Sequence, residues 1–175
     1  AWLANRVGEY DVRLYATTGT NYNWLSLPFE IEGVGMASEL ASYIQFHTIQ
    51  QTTVTTISSW NTVAQVYTTY TTIPFPLGDH AISPCGAYRV EVNINGTDST
   101  VLTFAGKVPQ SCAFDLKTTT GTDYTWVSLP VGHPDAIQAS ELKRYIEGHT
   151  NLITTVISIS EWNALAQSYI GPVAK

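Results

Sequence analysis

Along this chain, apolar and polar residues alternate with a period of two in several short runs, broken once by an apolar stripe at helical spacing. In residues 22–27, Leu25 and Leu27 fall on one side of an extended segment and Trp24 and Ser26 on the other. A first strand through Leu14 and Tyr15 leads into this segment by a turn near Gly19, and Pro28 closes it. Residues 37–46 predict a short helix, because Leu40, Tyr43 and Ile44 stand at i, i+3 and i+4. Ser38 and Glu39 suit its first turn, by side-chain capping and by the helix dipole. Residues 54–60 and 64–71 read as two strands around a turn at Asn61. Residues 86–92 and 100–104 are alternating runs around Asn95-Gly96, the strongest short hairpin signal.

The series then begins again. Thr17-Thr18-Gly19-Thr20-Asn21-Tyr22-Asn23-Trp24-Leu25-Ser26-Leu27-Pro28 returns as Thr119-Thr120-Gly121-Thr122-Asp123-Tyr124-Thr125-Trp126-Val127-Ser128-Leu129-Pro130, an offset of 121 − 19 = 102. The register holds without a gap through Ala37-Ser38-Glu39-Leu40 and Ala139-Ser140-Glu141-Leu142, and on to Trp60-Asn61 and Trp162-Asn163. Such self-similarity signals a repeated structural unit. The hairpin at residues 86–104 has no counterpart after Ile170.

The expected fold is therefore mainly β: two tandem β-sandwich-like or barrel-like modules, each with one short helix, the second truncated. Residues 1–13 are expected to be an N-terminal donor strand, 14–110 a complete module, and 111–175 an incomplete one that repeats 12–73. A sheet without its last hairpin presents an open edge that invites another strand. Gly8-Glu9-Tyr10-Asp11-Val12-Arg13-Leu14 resembles Gly86-Ala87-Tyr88-Arg89-Val90-Glu91-Val92, so Tyr10, Val12 and Leu14 are candidates to fill that edge. Trp2, Leu3 and Val7 add apolar surface upstream. Docking in the same chain closes a monomer, and docking in the next chain builds a head-to-tail filament by strand addition. A third alternative is an ordinary edge strand or arm.

Composition narrows the class. Only 13% of the 175 residues are charged, and aromatic residues make up 11%, which fits a folded chain rather than a disordered one. The net charge is −6 with no basic stripe, which argues against nucleic acid. No apolar run approaches the roughly 20 residues of a membrane helix. A start at Ala1 fits removal of a signal segment, although a trimmed chain would begin the same way. Cys85 and Cys112 form an even pair that suggests one disulfide in an oxidising, extracellular setting; two buried thiols are the alternative. Asn95-Gly96-Thr97 is a glycosylation sequon in a turn, so glycans are a candidate partner.

These motifs together resemble a group of tandem modules on bacterial and archaeal secreted proteins. Its pattern is aromatic-x-Ser-Leu-Pro (residues 24–28 and 126–130), a short helix, Trp-Asn (60–61 and 162–163), and Gly-x-Tyr-x-Val (86–90). The resemblance implies a cell-surface or secreted location, a structural or adhesive role, and no catalytic residue.

The residues themselves give no convergent catalytic set. His47 and His149 follow the two helices, where a helix-end role is expected. Asp79-His80 and His133 with Asp135 lack a second pair at metal-ligand spacing. Glu39 and Glu141 sit at helix starts in separate copies. No metal, cofactor or enzymatic activity is expected. Trp24 and Trp126 lie opposite the Leu25 and Val127 faces and are candidates for subunit contact or for stacking on sugar rings. The expected function is a protomer of an extracellular, pilus-like filament of identical subunits. The alternative is a secreted module that binds carbohydrate or a surface.

Overall fold

A computed structural model describes residues 7–109, 111–118, 123–128, 138–150 and 152–170. The architecture is mainly β, and the chain divides into two compact units, Ala1–Pro130 and Val131–Lys175. The first unit contains β1 (Val7–Tyr15), β2 (Asn23–Ser26), α1 (Ala37–His47), β3 (Thr52–Asn61), β4 (Val66–Thr71), β5 (Ala87–Ile94) and β6 (Ser99–Lys107). Two antiparallel sheets arise: β1 against β6, and a four-stranded sheet in the order β2-β5-β3-β4. No closed barrel forms among the described residues. The core lies between the sheets and under α1. Leu14, Leu25, Leu40, Ile44, Val54, Ile57, Val90, Val92, Leu102 and Phe104 are all within 2% of full burial. No helix in the described residues is long and apolar enough to cross a membrane.

The sheet topology reassigns the N-terminal segment. β1 pairs with β6 along its whole length, from Val7 opposite Lys107 to Tyr15 opposite Ser99. Leu14 is fully buried and Val12 packs against the same core. The strand crosses the expected boundary between residues 13 and 14 and belongs to the first module. It is not a displaced part of the last hairpin. Its repeat counterpart at the same offset is residues 109–117, where Phe114 and Leu116 stand for Val12 and Leu14. One hydrogen bond is duplicated as well. Tyr15 N–H donates to Asn23 Oδ1 at 2.9 Å, and Lys117 N–H donates to Thr125 Oγ1 at 3.3 Å.

Asn23 is the clamp between the sheets. It is 1% exposed, and its Nδ2 donates to the Tyr15 carbonyl at 2.9 Å while its Oδ1 accepts from the same residue. A side-chain amide thus imitates a backbone partner where β1 and β2 diverge. At the other end of β1, Gly8 lies opposite Gly106. A Cβ on Gly8 would stand 2.7 Å from the Phe29 ring, and one on Gly106 only 2.6 Å from the Glu30 carbonyl oxygen. The paired glycines let the Phe29 segment cross β1 and β6 closely, and Phe29 is buried there.

The second unit contains α2 (Ala139–His149), β7 (Glu161–Asn163) and β8 (Ser168–Ile170). Its local hydrogen bonds copy those of the first module. Gln45 Oε1 accepts from Val54 N–H at 3.1 Å, and Glu147 Oε1 from Val156 N–H at 2.8 Å. Asn61 Oδ1 accepts from Ala64 N–H at 2.8 Å, and Asn163 Oδ1 from Ala166 N–H at 2.9 Å. Burial is not copied: α2 has no buried residue. In the first module β3 is held on both sides, by β4 and by β5. The counterpart of its first seven residues, 154–160, forms no strand.

Candidate functional site

Two features stand out: an aromatic seam within the first unit and an uncovered apolar surface on the second. The seam is built on the outer face of the four-stranded sheet. Trp24 points away from the core because its neighbours Asn23 and Leu25 point inward, both nearly fully buried. The Trp24 and Trp126 rings stack with centroids 3.9 Å apart and planes 28° from parallel. Ser26 Oγ and Ser128 Oγ are hydrogen-bonded. Trp60 stacks on Tyr124 at 4.7 Å and 12°. The Gln65 side chain donates to the Tyr124 carbonyl and accepts from its N–H, each at 3.1 Å. The Arg89 guanidinium lies 4.9 Å from the Tyr22 ring and 5.2 Å from the Tyr67 ring, a cation–π arrangement. Arg89 also pairs with Glu91 at 2.8 Å.

This placement bears on the sugar-stacking reading of Trp24 and Trp126. Sugar stacking needs an open ring face, and the two indoles cover each other. A cavity of about 450 Å³ borders the seam, lined in part by Trp60, Pro84, Cys85, Phe114 and Trp126. Cys85 and Cys112 are joined in a disulfide at its side. Tyr88 anchors the loop before it: its hydroxyl accepts from Ser83 N–H at 2.7 Å and donates to the Ser83 carbonyl at 3.0 Å. Burial raises the Tyr88 pKa above that of an ordinary tyrosine, against the opposing hydrogen bonds from Ser83.

The other sequence candidates fall as follows. Val7 is exposed and Tyr10 is about two-fifths exposed at the start of β1, whereas Val12 and Leu14 face the core. Trp2 and Leu3 lie outside the described residues, as do His133 and Asp135. Asn95 is exposed in the β5–β6 turn, where its Nδ2 donates to Gln51 Oε1 at 3.2 Å. His47 and His149 stack on Tyr43 and Tyr145 one turn earlier, at 3.8 and 4.1 Å. Each also places Nδ1 2.9 Å from that tyrosine's carbonyl. Glu39 and Glu141 accept backbone N–H groups at the two helix starts. Asp79 accepts from Ser38 N–H at 2.9 Å and from Ser38 Oγ at 2.6 Å, and these hydrogen bonds lower its pKa below the carboxylate norm. It acts as a cap on α1. Among the described residues, no group of three or more His, Cys, Asp or Glu is placed to hold a metal.

An open edge on the second copy is expected from its missing last strands, but the sequence alone does not single out the side chains that mark it. Leu152, Ile153 and Ile157 are 81%, 107% and 73% exposed. Their counterparts at the repeat offset are Gln50, Gln51 and Thr55. In the first module each of these touches β5, β6 or the turn between them. β5 and β6 do not pair as the hairpin expected around Asn95-Gly96: β5 runs between β2 and β3, and β6 crosses to the other sheet beside β1. Gln50 N–H donates to Thr100 Oγ1 at 3.0 Å, Gln51 bonds Asn95, and Thr55 Oγ1 donates to the Glu91 carbonyl at 3.1 Å. Three positions that meet these two strands and their turn through polar groups in one copy are thus large and apolar in the other. Leu142, Ile146, Val156 and Ile159, the counterparts of core residues Leu40, Ile44, Val54 and Ile57, are only partly buried.

No known protein family, curated protein or solved structure matches this chain.

Proposed function

We propose that the chain is a non-catalytic structural segment of an extracellular fibre or surface layer, and that its second copy accepts a β strand in the manner of donor-strand complementation. The observation that carries this reading is the exposed trio Leu152, Ile153 and Ile157. It lies where the first module seats β5 and β6. Large apolar side chains left exposed where the first module is covered mark a contact surface. Seating a strand there would also cover Val156 and Ile159 and give residues 154–160 a backbone partner. Each large side chain so buried contributes about 1.5–3 kcal/mol, against the entropy of association.

The geometry changes the donor. β1 is already paired over nine residues and holds Leu14 in the core, so releasing it would open the first module. A segment that fits the second copy has the alternation of Tyr88, Val90 and Val92 or of Leu102 and Phe104. In the filament reading another chain supplies it from outside its folded first module, because Val90, Val92, Leu102 and Phe104 are already core residues there. The mutual stacking of Trp24 and Trp126 speaks against the carbohydrate-binding reading.

A synthetic peptide of residues 86–107, titrated into the chain in a calorimeter, is expected to bind saturably at one site. The Ile153→Asp/Ile157→Asp chain is expected to lose that binding. Absence of binding to the unmodified chain, or equal binding to both, would sink the reading.

A further inference from the structure

We propose that the face carrying Trp24 and Ser26 is a homotypic pairing surface, whose partner is a second module of the same kind. The evidence is which residues meet. Trp24 stacks on Trp126, and 126 − 24 = 102. Ser26 bonds Ser128, and 128 − 26 = 102. Both are contacts between a residue and its own repeat counterpart. Two faces that meet directly, each residue on its own equivalent, are related by a local two-fold axis, the mark of an isologous contact.

Two such pairs, two residues apart on one face of a strand, fix the direction of that local axis. The midpoint of each pair lies on it, so it runs along β2. The local geometry is duplicated on either side. Tyr22 meets Trp24 edge-on at 88°, and Tyr124 meets Trp126 edge-on at 86°. Residues 123–128 therefore present to the first module the same rings that the first module presents to them. A surface that accepts its own copy within one chain is self-complementary, and it accepts the equivalent strand of another chain when the internal copy is removed. In that pair, Trp24 stacks on the partner chain's Trp24, and Trp60 stacks where Tyr124 now lies, on the partner chain's Tyr22. Chains with an unpaired module would associate side by side through this face, independently of strand insertion at the second copy.

The segment 1–118 tests this. It retains both sheets, α1, every buried core residue from Leu14 to Phe104, and the Cys85–Cys112 disulfide, while lacking residues 123–128. Sedimentation equilibrium is expected to show the segment dimerising where the full chain does not pair through this face. Trp24→Ala is expected to weaken that dimer by about thirtyfold or more, the scale of losing a buried aromatic anchor. Ser26→Cys in the segment is expected to give a disulfide-linked dimer on mild oxidation, and Thr20→Cys is not. A second arm keeps the full chain: Ser26→Cys with Trp126→Ala is expected to cross-link between chains more readily than Ser26→Cys alone. A folded segment that stays monomeric, a dimer indifferent to Trp24→Ala, or equal cross-linking in the two full-length variants would overturn the proposal.

Discussion

Replacing Leu14 by alanine asks whether β1 is part of the first module or a spare strand. Leu14 is fully buried among Leu25, Leu102 and their neighbours, opposite Thr100 in the β1–β6 ladder. Truncating a buried leucine removes its transfer free energy and leaves a cavity, for a loss of about 3 kcal/mol within a usual range of about 2–5 kcal/mol. In a unit of this size that lowers Tm by about 10 °C. The repeat supplies an internal control. Leu116 occupies the same place in the second copy but is 39% exposed, so Leu116→Ala is expected to lose no more than about 1 kcal/mol. Urea unfolding followed by tryptophan fluorescence, with thermal melts by circular dichroism, measures both variants. If Leu14→Ala lost under about 1 kcal/mol, or if the two variants were equal, β1 would not be integral to the first module and the free-donor reading of residues 1–13 would regain its footing.

Three further outcomes follow from the same contacts. Asn23→Ala leaves the Tyr15 N–H and carbonyl without their buried partner and is expected to lose about 2–4 kcal/mol in urea unfolding, with Asn23→Asp not restoring it because a carboxylate cannot donate. Replacing both Cys85 and Cys112 by serine frees a loop of 27 residues' separation and is expected to destabilise by about 3–4 kcal/mol, with no further effect of reductant on the variant. Asp79 has a lowered pKa, so its contribution is present above the ordinary carboxylate pKa and is lost as pH falls through the folded-state value. Thermal melts between about pH 5 and pH 2 are expected to fall less steeply for Asp79→Asn than for the unmodified chain.

Local pattern reached a good part of this fold. The Leu40, Tyr43, Ile44 stripe placed α1 within one residue of its end, and Asn95-Gly96 placed the β5–β6 turn, but not as the hairpin it signals, because the two strands leave that turn for different sheets. The 102-residue offset exposed the duplication. Strand order was out of reach, because nothing local says that β5 lies between β2 and β3. β1 was misplaced for a related reason. Its Tyr10, Val12, Leu14 alternation matches any half-buried strand, β5 included, so likeness to Tyr88, Val90 and Val92 carried no pairing information. The informative match was Leu14 with Leu116 and Val12 with Phe114, which only shared apolar character reveals. The seam was half legible: the tryptophans read as outward contacts, but only the structure brings each onto its own counterpart. The exposed trio needed both sources, since Leu152, Ile153 and Ile157 look like core residues until Gln50, Gln51 and Thr55 are seen touching β5, β6 and the turn between them.

The vacant seat on the second copy is tested most directly by backbone amide hydrogen exchange at residues 154–160, with and without the 86–107 peptide. Bound peptide is expected to slow exchange there at least about tenfold, in the alternating pattern of a newly formed ladder, while the amides of β3 in the first module stay as they were. Unchanged exchange at 154–160 under saturating peptide, or protection confined to the first module, would contradict strand acceptance by the second copy.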